Sequence, residues 1–532
     1  MTQRLLRTLM RPSLKDLAKT ALLSGLALGL AFTAAPTHEA EAKDKFIFAN
    51  SSAYNTMDPQ ALFDVGRVAY RLNLYDGLMR WLDNPPKLNL WLAESHKISS
   101  DGKKYTFKLK DAKFHDGSPV EAKDVVYSTE RILALKKGAA SLFVKVLKPG
   151  TTKAVDPKTV EFNLVKPSAI FLATIPEIHI MNSDLMKKHE KGGDWSSAWV
   201  SKNDAGSGSF KLKRYDPAKG FLAERFTDHF YGWGDKYLDE IEFRTVVEIN
   251  SRVLGMMKGD FHGADGYMPQ DQIKRLRTSK NVNVMEQESM RIFYFIIHNA
   301  RAPMNDIHFR KALSYAFDYD GFIKNILSNS VARNPVPLPN NIWGAPSGVK
   351  GYTFDLKKAA EHLAKVKKPI REITIGALAG YGQTEQAAVL LQNALAKLGV
   401  KSKIVAETWP VASGKMRNEQ QMYDLLPLWK STYYADPNNW VGEMYYSPNV
   451  GSRNNSWYKD AQVDKWIAEA IETTDRKVRE ANYAKAATKV MDDAAGIFVY
   501  NTKWFGPYSK KVDGVRFSPI GNAQEMRWVY FK

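Results

Sequence analysis

The chain contains no cysteine, so no disulfide can staple it, no thiolate can hold a metal, and no lipid can be attached through a cysteine. Its stability has to come from hydrophobic cores. Past the N-terminal region, no stretch approaches the ~20 apolar residues of a transmembrane helix. No internal repeat and no Pro- or Gly-rich linker divides the chain, which predicts tightly associated domains. Phosphate loop, dinucleotide fingerprint, zinc-protease helix and nucleophile elbow are all missing. Gly206-Ser207-Gly208-Ser209 comes nearest, but it lacks the third glycine of a dinucleotide site and the Lys-Ser/Thr pair of a phosphate loop. It reads as a turn. The ten histidines never take a compact ligand spacing, and carboxylate pairs such as Asp239-Glu240 carry no mark of acid–base work. No metal, no cofactor and no catalytic residue is expected, which makes an exported enzyme the least supported class.

Acidic residues are in the minority. At the N-terminus Arg4, Arg7, Arg11, Lys15 and Lys19 precede an apolar run from Ala21 to Ala35, and Ala40-Glu41-Ala42 follows with a small-x-small pattern. This predicts a secretory signal over residues 1–42, cleaved after Ala42, and a periplasmic destination. The mature chain keeps seventy-one basic against fifty-four acidic residues, a formal +17. Lysines are spread along the whole chain without a recognised binding motif, which speaks against nucleic acid and for a solvated basic surface or an anionic ligand.

With 532 residues, 44% of them hydrophobic and 25% charged, the chain has the length of two or three soluble domains. Lys45–Asn50 (KFIFAN) reads as a strand, with helical apolar spacing after it up to Trp81. Tyr105, Phe107 and Leu109 alternate with polar neighbours, as in a half-buried strand. Ser118-Pro119-Val120-Glu121 offers a capping box with Pro in the first turn. Helices are predicted from Phe309 to Leu327, Asp355 to Val366 with Asp355 as N-cap, Thr384 to Leu398, Ala461 to Glu472 and Arg476 to Met491. Strands at Glu372–Ala377 and Lys401–Ala406 flank the Thr384 helix in a β-α-β unit, and Ile497–Tyr500 is a further strand. The class is α/β with mixed sheets.

Residues 75–131 carry an ordered set of motifs: Tyr75-Asp76-Gly77-Leu78, Leu92-Ala93-Glu94-Ser95, Ser100-Asp101-Gly102, Tyr105-Thr106-Phe107, Phe114-His115-Asp116-Gly117-Ser118-Pro119 and Ala122-Lys123-Asp124-Val125-Val126-Tyr127-Ser128. Gly206–Leu212, Tyr237–Ile241, Phe309–Asp318 and Ala435-Asp436-Pro437 continue it. This sequence resembles the bacterial extracellular solute-binding proteins of the peptide and nickel-binding family, family 5, over essentially all of the mature chain. The resemblance implies a two-lobed periplasmic-binding-protein fold of the large three-domain type. Residues 43–76, 205–298 and 492–532 would form the core of lobe I, 77–204 an inserted domain, and 299–491 lobe II, with hinges near Gly206 and Asn299. It further implies a monomeric carrier without catalysis, which captures a peptide or peptide-like solute by lobe closure and delivers it to an ABC permease and its ATPase subunits.

Carried over from the oligopeptide-binding members, Trp409, Trp429 and Arg417 match pocket residues, Tyr267 lies in a contact loop, and Tyr500 is near a C-terminal pocket tyrosine. Those members place an aspartate ahead of the Asp-Pro loop to pair with the ligand's α-ammonium group. Here the segment reads Trp429-Lys430-Ser431-Thr432-Tyr433-Tyr434-Ala435-Asp436-Pro437, and the aspartate position falls on Thr432 or Tyr433. Neither is a carboxylate, and Asp436 is the candidate to take over the role. Lys430 and Arg417 favour an anionic or polar ligand, so a non-peptide anionic or sugar-like solute, such as an opine or a glycoside, stands as the alternative.

Overall fold

The computed structural model describes residues 44–65, 68–521 and 524–532; the predicted signal segment lies outside them. One mixed sheet runs through the whole fold in the spatial order Ser402–Glu407, Ile373–Leu378, Leu425–Lys430, Val282–Ile297, Gly496–Ser509, Gly263–Ala264, Lys45–Asn50, Glu240–Thr245, Gly220–Arg225, Phe210–Asp216. Its first part belongs to one lobe and its last part to the other. The lobe around Lys45–Asn50 is called the first, the lobe around Ile373–Leu378 the second. Among the described strands, only the two long central ones, Val282–Ile297 and Gly496–Ser509, take part in both.

The halves of these crossing strands differ in character because they serve different lobes. Val282–Glu288 pairs with Lys503–Ser509 at the first-lobe end, and Ile292–Ile296 pairs with Gly496–Asn501 at the second. Between them the register breaks, and Ser289, Met290 and Arg291 face Thr502. Such a bulge bends a strand and re-aims its side chains. It is held by the Ser289 hydroxyl on the Thr502 carbonyl at 3.0 Å and by the Thr432 hydroxyl, which donates to the Met290 carbonyl at 2.9 Å. The passage between lobes therefore lies upstream of Asn299, whose side-chain amide is stapled to the carbonyls of Ile297, Ser456 and Ala495 within the second lobe. Gly206 also lies elsewhere, packed so closely on the Leu74 carbonyl in the first lobe that a Cβ there would stand 1.8 Å from that oxygen.

Past the bulge the first crossing strand is buried on both faces, as expected where helices cover a sheet on either side. Phe293, Phe295 and Ile297 enter a core with Phe309, Leu313 and Leu391, while Ile292, Tyr294 and Ile296 enter another with Val463, Ile467 and Val490. The segment from Leu78 to Ile180 builds a further core, which Tyr434 of the second lobe completes, on the antiparallel sheet Ala93–Ile98, Lys104–Leu109, Thr159–Asn163, Thr152–Asp156.

The predicted strands at Lys45 and Tyr105 and the parallel pair flanking the Gly382–Lys397 helix are present. Asp355 caps its helix by accepting from the Lys358 amide at 3.0 Å, and the Ala461–Glu472 and Arg476–Asp492 helices stand where the periodicity puts them. Three boundaries differ. The first apolar segment yields only a short helix, Ala69–Leu74, before a strand at Met79–Leu82. The helix predicted to begin at Ser118 starts at Ala122, because Glu121 and Asp124 form the capping box while Ser118 closes a turn on Asp116. The predicted Phe309–Leu327 helix ends at Ala316, because Phe317 is extended and Asp318 caps a new turn by accepting from the Gly321 amide.

Candidate functional site

At the seam between the lobes lies a cavity of about 780 Å³, which adjoins a smaller compartment of about 340 Å³. Both are walled by the first lobe, through the loops after Lys45–Asn50 and Gly263–Ala264, and by the second, through Tyr381 and the strand that ends at Lys430. Tyr267, Arg291, Tyr381 and Trp429 line both compartments and form the waist between them.

Of the residues singled out from sequence, Tyr267, Trp409, Arg417, Trp429 and Tyr433 line the larger compartment. Thr432 and Tyr500 line the smaller one, with Tyr267 and Trp429. The Tyr500 ring stacks on Phe293 at 5.0 Å, and its hydroxyl donates to Gln383 at 2.9 Å. Tyr433 reaches across the seam to pack on Phe63 of the first lobe, with ring centroids 4.0 Å apart. Asp436 lines neither compartment. It is buried beneath the loop, where it caps the Pro437–Asn439 turn and pairs with Arg479 at 2.7 Å, so its two oxygens are engaged in holding the loop.

The electrostatics of the larger compartment are lopsided. Its lining has five cations, Arg252, Arg291, Arg417, Lys430 and Arg453, against two carboxylates, Asp64 and Glu248. Lys430 is 9% exposed and donates to Glu443 at 2.6 Å. Arg453 takes the same Glu443 oxygen and lies over the rings of Phe63 and Tyr433, 5.0 and 4.9 Å from their centroids. Two cations thus share one buried carboxylate. Burial and then the nearby Arg453 push the Lys430 amine down to about 7. Burial works against the Glu443 charge, but Arg453 and Lys430 outweigh it and hold that carboxyl below its ordinary value.

Sequence reasoning missed Arg291, Glu443, Arg453 and the pocket tyrosines Tyr294 and Tyr445. Tyr445 is fully buried, and its hydroxyl has no hydrogen-bond partner among the described residues. No local pattern marks these residues, because the bulge and the loops that bring them together are tertiary.

Two lobes on one continuous sheet, joined by two crossing strands and walling an aromatic, cationic seam, define the class of proteins that bind a solute between two lobes. The model of the bacterial extracellular solute-binding proteins, family 5 (middle region), matches residues 87–452, and the chain belongs to that family, whose members bind substrates and are not enzymes. A probable D,D-dipeptide-binding periplasmic protein of Escherichia coli (strain K12) is 32% identical over 505 residues, covering 93% of this chain and 96% of that protein. The dipeptide-binding protein of the same organism is 26% identical over 531 residues, with 93% and 96% covered. An ABC transporter-associated periplasmic binding protein from Helicobacter pylori, solved in complex with the peptide STSA, matches with a TM-score of 0.82 at 24% identity, over 92% of this chain and 98% of its own. That likeness is one of fold.

Proposed function

We propose that this chain is the periplasmic solute-binding component of an ABC importer and that it encloses a peptide or peptide-like solute between its lobes for delivery to the membrane permease. The observation that carries the reading is the two-compartment cleft, walled by both lobes and lined with aromatic rings. Such rings bury area at little entropic cost and accept varied side chains. The names of the two Escherichia coli relatives supply the ligand class. The sheet pairing supports moving the lobe boundaries from 298/299 and 491/492 to the bulge, so that 43–76, 205–288 and 503–532 form the core of lobe I, 77–204 an insert, and 292–501 lobe II, with the bulge at 289–291 as the hinge. In this reading Tyr267, Trp409, Arg417, Trp429, Thr432, Tyr433 and Tyr500 contact the solute, and Asp436 supports their loop.

A second reading, a non-peptide anionic or sugar-like solute, draws on one observation. The loop after Trp429 presents no free carboxylate to an α-ammonium group, because Glu443 is taken by Lys430 and Arg453 and Asp436 by Arg479. A ligand that binds only the folded state stabilises it by about 2.7 kcal/mol at a hundredfold excess over Kd. Thermal melts and X-ray scattering against a panel of small peptides and opines test both readings. A true solute raises the melting temperature and compacts the protein; one that binds tightly and changes neither overturns lobe closure.

A further inference from the structure

We propose that Arg291 is the anion anchor of the cleft, receiving a carboxylate of the solute at the waist between the two compartments. The inference rests on the carrier reading above and names the group its solute must bear. Arg291 stands on the bulge where the chain passes from one lobe to the other, and it lines both compartments.

Its surroundings set it apart from the other buried or half-buried arginines. Arg252 donates to the carbonyls of Val246 and Val247, both at 2.7 Å; Arg453 is paired with Glu443 and Arg479 with Asp436. Arg291 has rings instead of acceptors. Its guanidinium carbon lies 4.9 Å from the Tyr267 centroid, on the first lobe, and 5.2 Å from the Trp429 centroid, on the second. Its Nε is buried, and among the described residues it has no hydrogen-bond acceptor and no carboxylate reaches it.

A half-buried cation without a counter-charge is costly unless something else neutralises it. Cation–π contacts offset part of that cost. They also leave the N–H donors, which lie in the guanidinium plane, for an acceptor in the cavity. A planar fork of donors fits a carboxylate through two parallel hydrogen bonds, in a setting where charge-assisted bonds are strong. Because the two rings come from different lobes, a carboxylate held there binds at the seam itself, and the rest of the solute extends into the larger compartment.

The test uses the mature protein freed of retained solute by reversible unfolding, with calorimetry at low salt. The probes are L-Ala-L-Ala, D-Ala-D-Ala and glutathione, the C-terminal amides of the two dipeptides, and succinate as a carboxylate that is not a peptide. In the unsubstituted protein a free dipeptide acid binds at least about tenfold more tightly than its amide. Arg291→Gln removes that preference, and Arg291→Lys, which keeps the charge without the fork, keeps only part of it. An acid-to-amide ratio that survives Arg291→Gln overturns the anchor and leaves the carrier reading standing. Succinate bound only when Arg291 is present, with no peptide bound, upholds the anchor and removes the peptide reading. No binding of any probe overturns both. If Arg291→Gln does not fold, Arg291→Lys decides: an undiminished ratio counts against the anchor and a diminished one for it.

Discussion

Lys430 is the residue whose removal is most informative about the charge balance of the cleft. It sits with Arg453 on a single carboxylate, Glu443, and its amine is pushed from the ordinary 10.5 to about 7 by burial and by Arg453. In the unfolded chain the amine holds its proton up to about 10.5; in the folded chain it releases it near 7. Between these values the unfolded state binds more protons, so stability rises with pH, at about 1.4 kcal/mol per unit when the difference is one full proton. Allowing for partial titration near 7, the gain from pH 7 to pH 9 is about 2 kcal/mol. Other groups titrate over the same range, so the quantity to measure is the difference between the unsubstituted protein and Lys430→Met. Met keeps the length of the stem and leaves Glu443 paired with Arg453. Urea unfolding at pH 7, 8 and 9 gives both stabilities, and the difference should move by about 2 kcal/mol in favour of Lys430 as pH rises. A difference that stays flat means that Lys430 keeps its proton in the fold, and that Glu443 neutralises it more fully than two cations on one carboxylate allow.

Asp436→Asn should lower stability by about 3 kcal/mol or more in urea unfolding, since it leaves Arg479 buried without its partner, while calorimetry finds solute affinity unchanged. The opposite pattern, lost affinity with intact stability, would place Asp436 on the solute. Gly206→Ala should cost about 3 kcal/mol, because its methyl would stand 1.8 Å from the Leu74 carbonyl oxygen; a normal melting temperature would show that the backbone there yields. Export predicts that N-terminal sequencing of the periplasmic protein begins at Lys43, and recovery of the intact Met1 chain contradicts it.

Much of the fold is written in local pattern. The Lys104–Leu109 strand alternates cleanly because one face is covered and the other is wet, and Asp355 announces a helix because its carboxylate accepts an amide of the first turn. The crossing strands are less legible. Gly496–Ser509 contains Gly506 and Pro507 and is buried almost throughout, so only its Ile497–Tyr500 portion reads as a strand. Phe309–Leu327 keeps helical spacing past Ala316, yet the competing cap at Asp318 ends the helix. The cleft divides the same way. Trp409, Arg417, Trp429 and Tyr267 stand in recognisable motifs and line the cavity. Arg291 owes its place to a bulge, and the Lys430–Glu443–Arg453 cluster to loop packing, and neither leaves a periodic trace in the sequence.

Native mass spectrometry of the protein purified from periplasm decides whether the seam between the lobes carries a solute without changing it. The solute is then released by denaturation and compared before and after prolonged incubation with fresh protein. One small molecule per chain is expected, bearing a carboxylate and recovered unchanged. A solute that is converted during incubation, or one without an acidic group, contradicts that expectation.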